Sequence, residues 1–302
     1  MIPNALQGNI TTEDGGSVPT LGFVTWWNVR EVETTRDWFK AKLDGVGLDG
    51  ERYAREHNYR ATFIRCLRSL EEQRIIRKVK EDGMRMIYQF TSETLVDDED
   101  NPRLEYTPET VVEIDKSAYW TEGNFAEALV KCDDALKKIL VELFDKERKT
   151  YRSSDITRYV QRIFSDQADI VSLRPQGSVY FIPAAYEELV SKVAQVLEAV
   201  PKGEAHLEFF PVPDVQSARL MVGRGVEVEI DELAKKLAEE IEKMKKGPEN
   251  LTDRWVRHRQ NQIQKVQSRI AMYSDLLGDA ADRLGGKFNL LKATLGGRKI
   301  EV

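Results

Sequence analysis

Residues 22–29 read Gly-Phe-Val-Thr-Trp-Trp-Asn-Val, a β-branched and aromatic run that predicts a strand. The apolar period then lengthens. Thr34 and Thr35 offer N-caps to a helix over "RDWFKAKL", ended by the region of Gly45 and Gly47. A short second helix is expected over 49–57. Asn58 caps a third, "YRATFIRCLRSLEEQ", in which Phe63, Ile64, Leu67 and Leu70 form one apolar face. The pattern shortens again in "IIRKVK" and "MRMIYQFT". Glu81-Asp82-Gly83 lies between them, and Asp-Gly between two apolar runs signals a β-hairpin. Three helices followed by a hairpin is the layout of a winged helix.

The acidic stretch "LVDDEDNPRLEY" (95–106) carries a proline break and marks a domain boundary. "TVVEID" predicts a strand. Asn124 and Glu127 resemble a capping box opening a long helix with Phe125, Leu129, Cys132, Leu136, Ile139 and Leu143 at three- and four-residue steps. A helix over 153–164 precedes a hairpin at "SLRPQGSVYFIP" (172–183). Strand alternation there sets Tyr180 and Ile182 opposite Val179 and Phe181, so one face at least is buried and the hairpin closes a core. An amphipathic helix follows, with Leu189, Val193, Val196, Leu197 and Val200 on one face. "AHLEFFPVPD" then reads as a buried strand.

From Val228 the chain becomes helical and charged. Ile230, Leu233, Leu237, Ile241 and Met244 mark one seam, which Gly247-Pro248 breaks. A second runs through Ile263, Val266, Ile270, Tyr273, Leu277, Ala281, Leu284, Phe288, Leu291 and Leu295, close to a heptad. A break is expected at Gly285-Gly286. "GRGVEVEIDE" (223–232) reads as a turn ahead of the first helix. The two seams predict an antiparallel helical hairpin or a partner-binding coiled coil.

The expected class is therefore α+β, mainly helical. A flexible N-terminus (1–20) precedes a winged-helix-like domain (21–95) and an acidic linker (96–103). A central α/β module with its hairpin (104–215) and coiled-coil-like helices (226–297) follow.

Composition refines this picture. The chain of 302 residues is 41% apolar and 32% charged, with a net charge of −6; that suits a charged, helix-rich soluble protein and argues against one that coats nucleic acid along its whole surface. The N-terminus has neither a basic nor an apolar signal region, and nowhere do about eighteen apolar residues run together. A cytoplasmic protein that does not enter a membrane is expected. Cys66 and Cys132 lie far apart in helix-like patterns, as reduced packing residues do.

The charge is uneven. Residues 51–85 hold ten basic and six acidic side chains, a local +4, which leaves −10 for the rest. On the winged-helix reading Arg60, Arg65 and Arg68 lie in or beside a DNA groove, where arginine reads guanine bidentately. Arg77, Lys78, Lys80 and Arg85 follow the phosphates from the wing. The expectation is a non-catalytic DNA-binding protein of regulatory or architectural type, contacting double-stranded DNA. The alternative is a protein assembly or adaptor factor. Residues 226–297 would serve self-association or a protein partner on either reading.

No catalytic, metal or cofactor constellation emerges. "GDAADRLGGKF" places Phe288 where a phosphate-binding loop needs Ser or Thr. His57, His206 and His258 have no metal-ligand spacing.

Two segments, "YRATFIRCLRSL" (59–70) and "LRPQGSVYFIP" (173–183), resemble a family of uncharacterised proteins from bacteria, archaea, phages and mobile elements. The second is similar to that family's Leu-Arg-x-x-Gly-Gly-Val-Tyr-Phe-Val-Pro pattern, with Ser178 for its second glycine and Ile182 for its second valine. The resemblance implies a phage or mobile-element setting and carries over no catalytic residue.

Overall fold

A computed structural model describes residues 9–11, 17–71, 74–96, 103–116, 125–174, 178–245, 253–277 and 279–296. In chain order the first strands are β1 (Asn9–Thr11), β2 (Ser17–Arg30) and β3 (Glu33–Thr35). Helices α1 (Arg36–Gly45), α2 (Gly50–Tyr53) and α3 (Tyr59–Leu70) follow. Next come β4 (Ile75–Glu81), β5 (Arg85–Val96), β6 (Arg103–Asp115), α4 (Phe125–Ala128) and β7 (Leu129–Lys131). Then come α5 (Asp134–Lys149), β8 (Thr150–Arg152), α6 (Ser153–Gln167), β9 (Val171–Ser172) and β10 (Tyr180–Pro183). The chain continues through α7 (Glu187–Glu198), β11 (Glu204–Pro213), α8 (Gln216–Lys245), α9 (Asp253–Met272), α10 (Ser274–Leu277) and α11 (Asp279–Gly296). The architecture is α+β.

The described residues fall into two compact units. One is drawn from Met1–Arg30, Thr157–Val200 and Glu204–Val302, the other from Glu31–Ile156 and Pro201–Gly203. The division crosses α6 and so splits the stretch 104–215 expected as a single module. Val96 and Arg103 are paired strand ends, so the proline-containing segment there joins two strands of one sheet; residues 97–102 lie outside the described residues.

In the first unit the 14-residue β2 is central. β11 pairs along it from Glu204↔Arg30 to Pro213↔Thr20, and β10 pairs from Tyr180↔Thr25 to Pro183↔Gly22. β9 extends the sheet beyond β10. The hairpin at 172–183 thus closes a core: Phe181 and Ile182 are both buried, and Tyr180 stacks on Trp27 at 4.9 Å. Its expected turn, Pro175–Gly177, lies outside the described residues. β2 approaches β10 so closely at Gly22 that an added Cβ would sit 2.3 Å from the Ile182 carbonyl oxygen. Only glycine fits there.

The helical region departs from expectation. α8 begins at Gln216, not near Val228, and runs through Gly223 and Gly225 without a turn. Packing explains this. A Cβ on Gly225 would meet the Leu173 side chain at 3.2 Å and the Ser172 carbonyl oxygen at 3.3 Å, so the bare backbone lets the helix lie against β9. The second seam breaks at Tyr273, between α9 and α10, while α11 continues through Gly285 and Gly286. The expected break at Gly247-Pro248 falls outside the described residues. α11 packs on both α8 and α9. Val226, Ile230, Leu237, Ile263, Val266, Ile270, Leu284 and Phe288 are buried with Val171 and Phe181 in one core. Among the described residues the seam positions of both segments are buried or partly buried in this core of the same chain.

In the second unit Thr35 and Asn58 cap α1 and α3 as expected, accepting from the backbone N–H groups of Trp38 and Ala61. The hairpin is larger than expected. β4 and β5 belong to an antiparallel four-stranded sheet in the order β4-β5-β6-β7, so the three helices precede not a free two-stranded wing but a sheet with one face covered. Phe63, Cys66 and Leu67 of α3 pack there with Met86, Tyr88, Phe90, Val112, Ile114, Leu140 and Phe144. The long helix expected from Asn124 is interrupted. Asn124 lies outside the described residues, Leu129 pairs with Ile114 in the sheet, and a new helix starts where the Asp133 carboxylate accepts from Ala135 and Leu136 N–H. That cap resets the helical phase, so Leu136, Leu140 and Phe144 face the core while Ile139 is exposed.

Candidate interaction surface

Arg65 was expected at the exposed side of α3. It points the other way. Its Nη1 donates to Asp155 Oδ2 at 2.7 Å, its Nε to Glu147 Oε2 at 3.1 Å and its Nη2 to the Thr150 carbonyl at 3.1 Å. Arg152 holds both oxygens of Glu147, at 2.6 and 2.5 Å. Glu147 is 2% and Asp155 3% exposed, against 16% for Arg65. His57 Nε2 lies 3.0 Å from both the Thr150 carbonyl and Arg65 Nη1. Two cations thus face two buried carboxylates, Arg65 from within and Arg152 from a position 40% exposed, a balance that burial of charge demands. Burial pushes the Glu147 carboxyl up, but the hydrogen bonds of Arg152 and Arg65 outweigh it and hold the group below its ordinary value. Burial, with Glu147 nearby, pushes the adjacent Cys66 thiol up to about 12. Arg65 ties α3 to the start of α6.

The remaining six predicted contacts are exposed, but strand register divides them. Residues paired across an antiparallel ladder share a face. Lys78 pairs with buried Tyr88 and so stands on the helix-covered side. There Glu81 gathers Lys78 at 2.5 Å, Lys116 at 2.9 Å and Arg60 at 3.8 Å. Hydrogen bonds from Lys78 and Lys116 hold the Glu81 carboxyl down at about 2. A bulge at Val79 then shifts the register, so Lys80 pairs with Ile87 on the outer side. Arg77, opposite Gln89, and Arg85 lie on that side too. Arg85 donates to Glu113 at 2.6 Å and Lys80 lies 3.7 Å from Asp82. Arg68 and Arg77 make no ion pair among the described residues. The bulge and the lysines also have a structural use, since β4 is an edge strand and both features discourage edge-to-edge pairing.

A surface that sequence reasoning missed lies further along the sheet. β5 and β6 remain paired from Arg85↔Asp115 to Val96↔Arg103, and beyond Thr91 and Pro108 no other strand of the sheet accompanies them among the described residues. This two-stranded arm is amphipathic. Thr91↔Pro108, Glu93↔Tyr106 and Leu95↔Leu104 put one set of side chains on the outer side. Leu95 is 63%, Leu104 48% and Tyr106 55% exposed. The other side carries Ser92, Thr94, Val96, Arg103, Glu105 and Thr107, with Arg103 3.0 Å from Glu105. The signal in the sequence was the alternation Leu104-x-Tyr106-x-Pro108, hidden by the surrounding acids.

The first unit holds a groove of about 560 Å³ along α8, lined among others by Leu173, Leu220, Met221, Arg224, Val228 and Glu232. Among the described residues no group of three or more His, Cys, Asp or Glu could hold a metal ion, and no helix is long and apolar enough to cross a membrane.

No curated protein and no solved structure matches the chain. Residues 20–301 match the model of a family of unknown function, DUF6744. That match runs through both units, over nearly the whole chain, and the chain belongs to the DUF6744 family.

Proposed function

We propose that this chain is a non-catalytic assembly or adaptor factor that engages a protein through the outer side of the β5–β6 arm. The observation that carries the reading is the strip of Leu95, Leu104 and Tyr106, exposed together on one side of a paired ribbon. An apolar strip of this kind, rimmed by polar groups, is what protein interfaces use. Tyrosine is among the residues that anchor such interfaces.

Three features weigh against the nucleic-acid reading. Arg65 is engaged by Glu147 and Asp155. Arg60 and Lys78 share Glu81 on one side of the sheet, while Arg77, Lys80 and Arg85 occupy the other. The β5–β6 arm carries Glu93, Glu105 and Glu109 against a single cation, Arg103. A phage or mobile-element setting, implied by the "LRPQGSVYFIP" resemblance, belongs to the same proposal.

The test is a photo-crosslinking amino acid placed at Leu104 or Tyr106 of the full chain in cells, with Lys42 on α1 as the control position. Discrete protein adducts at 104 and 106, absent at 42, are expected. No adduct, or adducts to nucleic acid, would overturn the reading. Duplex DNA offered at low salt, where phosphate contacts are strongest, is expected not to bind micromolar protein. Binding that an Arg68→Glu/Arg77→Glu variant loses would restore the DNA role.

A further inference from the structure

β11 carries an open edge in the first unit. Among the described residues it pairs with β2 and with no other strand. Pro211 stands in regular register opposite Phe23, and proline has no N–H to give a ladder, so its backbone faces away from β2. Main-chain groups alternate in direction along a strand, so Ala205, Leu207 and Phe209 face outward as well. The Thr25 hydroxyl donates to the Glu208 carbonyl at 2.9 Å, on the β2 side, as that phase requires. No turn, loop or cap hydrogen bond takes up the three outward residues among the described residues. The side chains alternate too. Ala205 and Leu207 are buried, while Glu204, His206, Glu208 and Phe210 are exposed on the other face. That face sets Trp26 of β2 opposite Glu208 and Asn28 opposite His206. Phe210 is 58% exposed, and its ring centre lies 5.5 Å from that of Trp26. Glu204 and Glu208 make no ion pair among the described residues. Arg30, opposite Glu204, donates to Asn28 Oδ1 at 3.2 Å instead.

Strand addition takes its affinity from open main-chain groups and its specificity from alternate side chains, and this edge offers both. We infer that β11 receives an extended basic segment of a partner protein as a further antiparallel strand. Charge selects the occupant. Opposite charges across a ladder stabilise it and like charges weaken it, so two unpaired carboxylates call for lysine or arginine opposite them. A second copy of the edge supplies neither, because residues 204–210 hold no Lys or Arg. In the added strand the cations against Glu208 and Glu204 stand four residues apart. The residue two places before the first cation lies over Phe210 and Trp26, where an apolar or aromatic side chain fits. Pro211 offers no donor, so pairing ends at Phe209. The inference concerns the first unit alone and does not depend on the arm of the second.

Fluorescence anisotropy of labelled synthetic peptides with the full chain tests this. The probe is TFTKTTTKT, which sets its lysines against Glu208 and Glu204 and its phenylalanine against Phe210. The controls are TFTETTTET and a copy of the probe N-methylated on the alternate threonines that face the β11 backbone. The probe is expected to bind at micromolar concentration, roughly tenfold tighter than either control. In Glu204→Lys/Glu208→Lys the preference should reverse to the glutamate peptide. Both side chains are exposed, so circular dichroism is expected to be unchanged. Equal binding of the lysine and glutamate peptides overturns the inference, as does no binding of the probe or a preference that survives the double substitution. Binding untouched by N-methylation would show that side chains alone hold the peptide, and strand addition would fall. A wild-type dimer in sedimentation velocity that the double substitution dissolves would give the edge to a second copy and overturn it too.

Discussion

Arg65 and Asp155 meet at 2.7 Å across a separation of 90 residues. The contact joins the helix that reads most like a DNA-recognition element to the segment where the second unit ends. An arginine placed by helical period on an exposed flank is in fact the cation of a buried cluster. Its role is architectural.

Removing that cation would leave Glu147 and Asp155 buried with too little positive charge around them. Arg65→Ala is expected to destabilise the chain by about 3–5 kcal/mol, the cost of breaking one side of a buried pair. Arg68→Ala, one turn along on the exposed face, should change stability by less than about 0.5 kcal/mol. Urea unfolding of the two variants decides the matter, and equal effects would refute the assignment.

Acid should act through two carboxylates. Glu147 and Glu81 both lie below the ordinary glutamate value when folded, Glu81 at about 2, while the unfolded chain titrates near 4.3. A depressed folded pKa gives stability that is complete above the unfolded value and is lost as pH falls through the folded one. The unfolding midpoint should therefore be level above about pH 5 and drop from about 4.3 towards 2. In Glu81→Gln the slope between these values should be shallower, since one titrating group is gone. A pH profile identical to wild type would show that the Lys78–Glu81–Lys116 group carries no such linkage.

The glycines should divide by what surrounds them. Gly285 and Gly286 have no atom within 4 Å of an added Cβ, and both lie inside α11, where glycine costs about 0.5–1 kcal/mol relative to alanine. Gly285→Ala and Gly286→Ala should each raise stability by about that amount. Gly22→Ala should lower it by about 1–3 kcal/mol or more, because the Ile182 carbonyl and the Phe181 ring occupy the space. Thermal unfolding of the three variants would show opposite signs; a neutral Gly22→Ala would mean that β2 and β10 part easily.

Local signals were legible wherever short-range chemistry decides the outcome. Thr35 and Asn58 cap their helices because a side-chain oxygen two or three residues upstream is enough to satisfy an end N–H. The strands 22–29 and 180–183 follow from β-branched and aromatic residues, and the buried positions of α9 and α11 from the three- and four-residue spacing of Ile263 to Phe288. The errors cluster where distant segments compete for a residue. Leu129 continues a helical stripe, yet the edge of β6 takes it for the sheet. Gly223 and Gly225 look like a turn until β9 is laid against the helix. The acids of 95–106 concealed an alternating pattern because charge suggested a linker.

The amino-acid sequence by itself determined many of the element types, the caps at Thr35 and Asn58 and most apolar stripes, since each depends on neighbours within about one turn or one pleat. The tertiary structure alone decided which face each stripe meets. It placed Arg65 inside rather than outside, divided the basic residues between two sides of a sheet through one bulge, and left the Leu95–Leu104–Tyr106 strip uncovered. Those outcomes depend on register and on partners up to a hundred residues away, and no local pattern encodes a pairing at that distance.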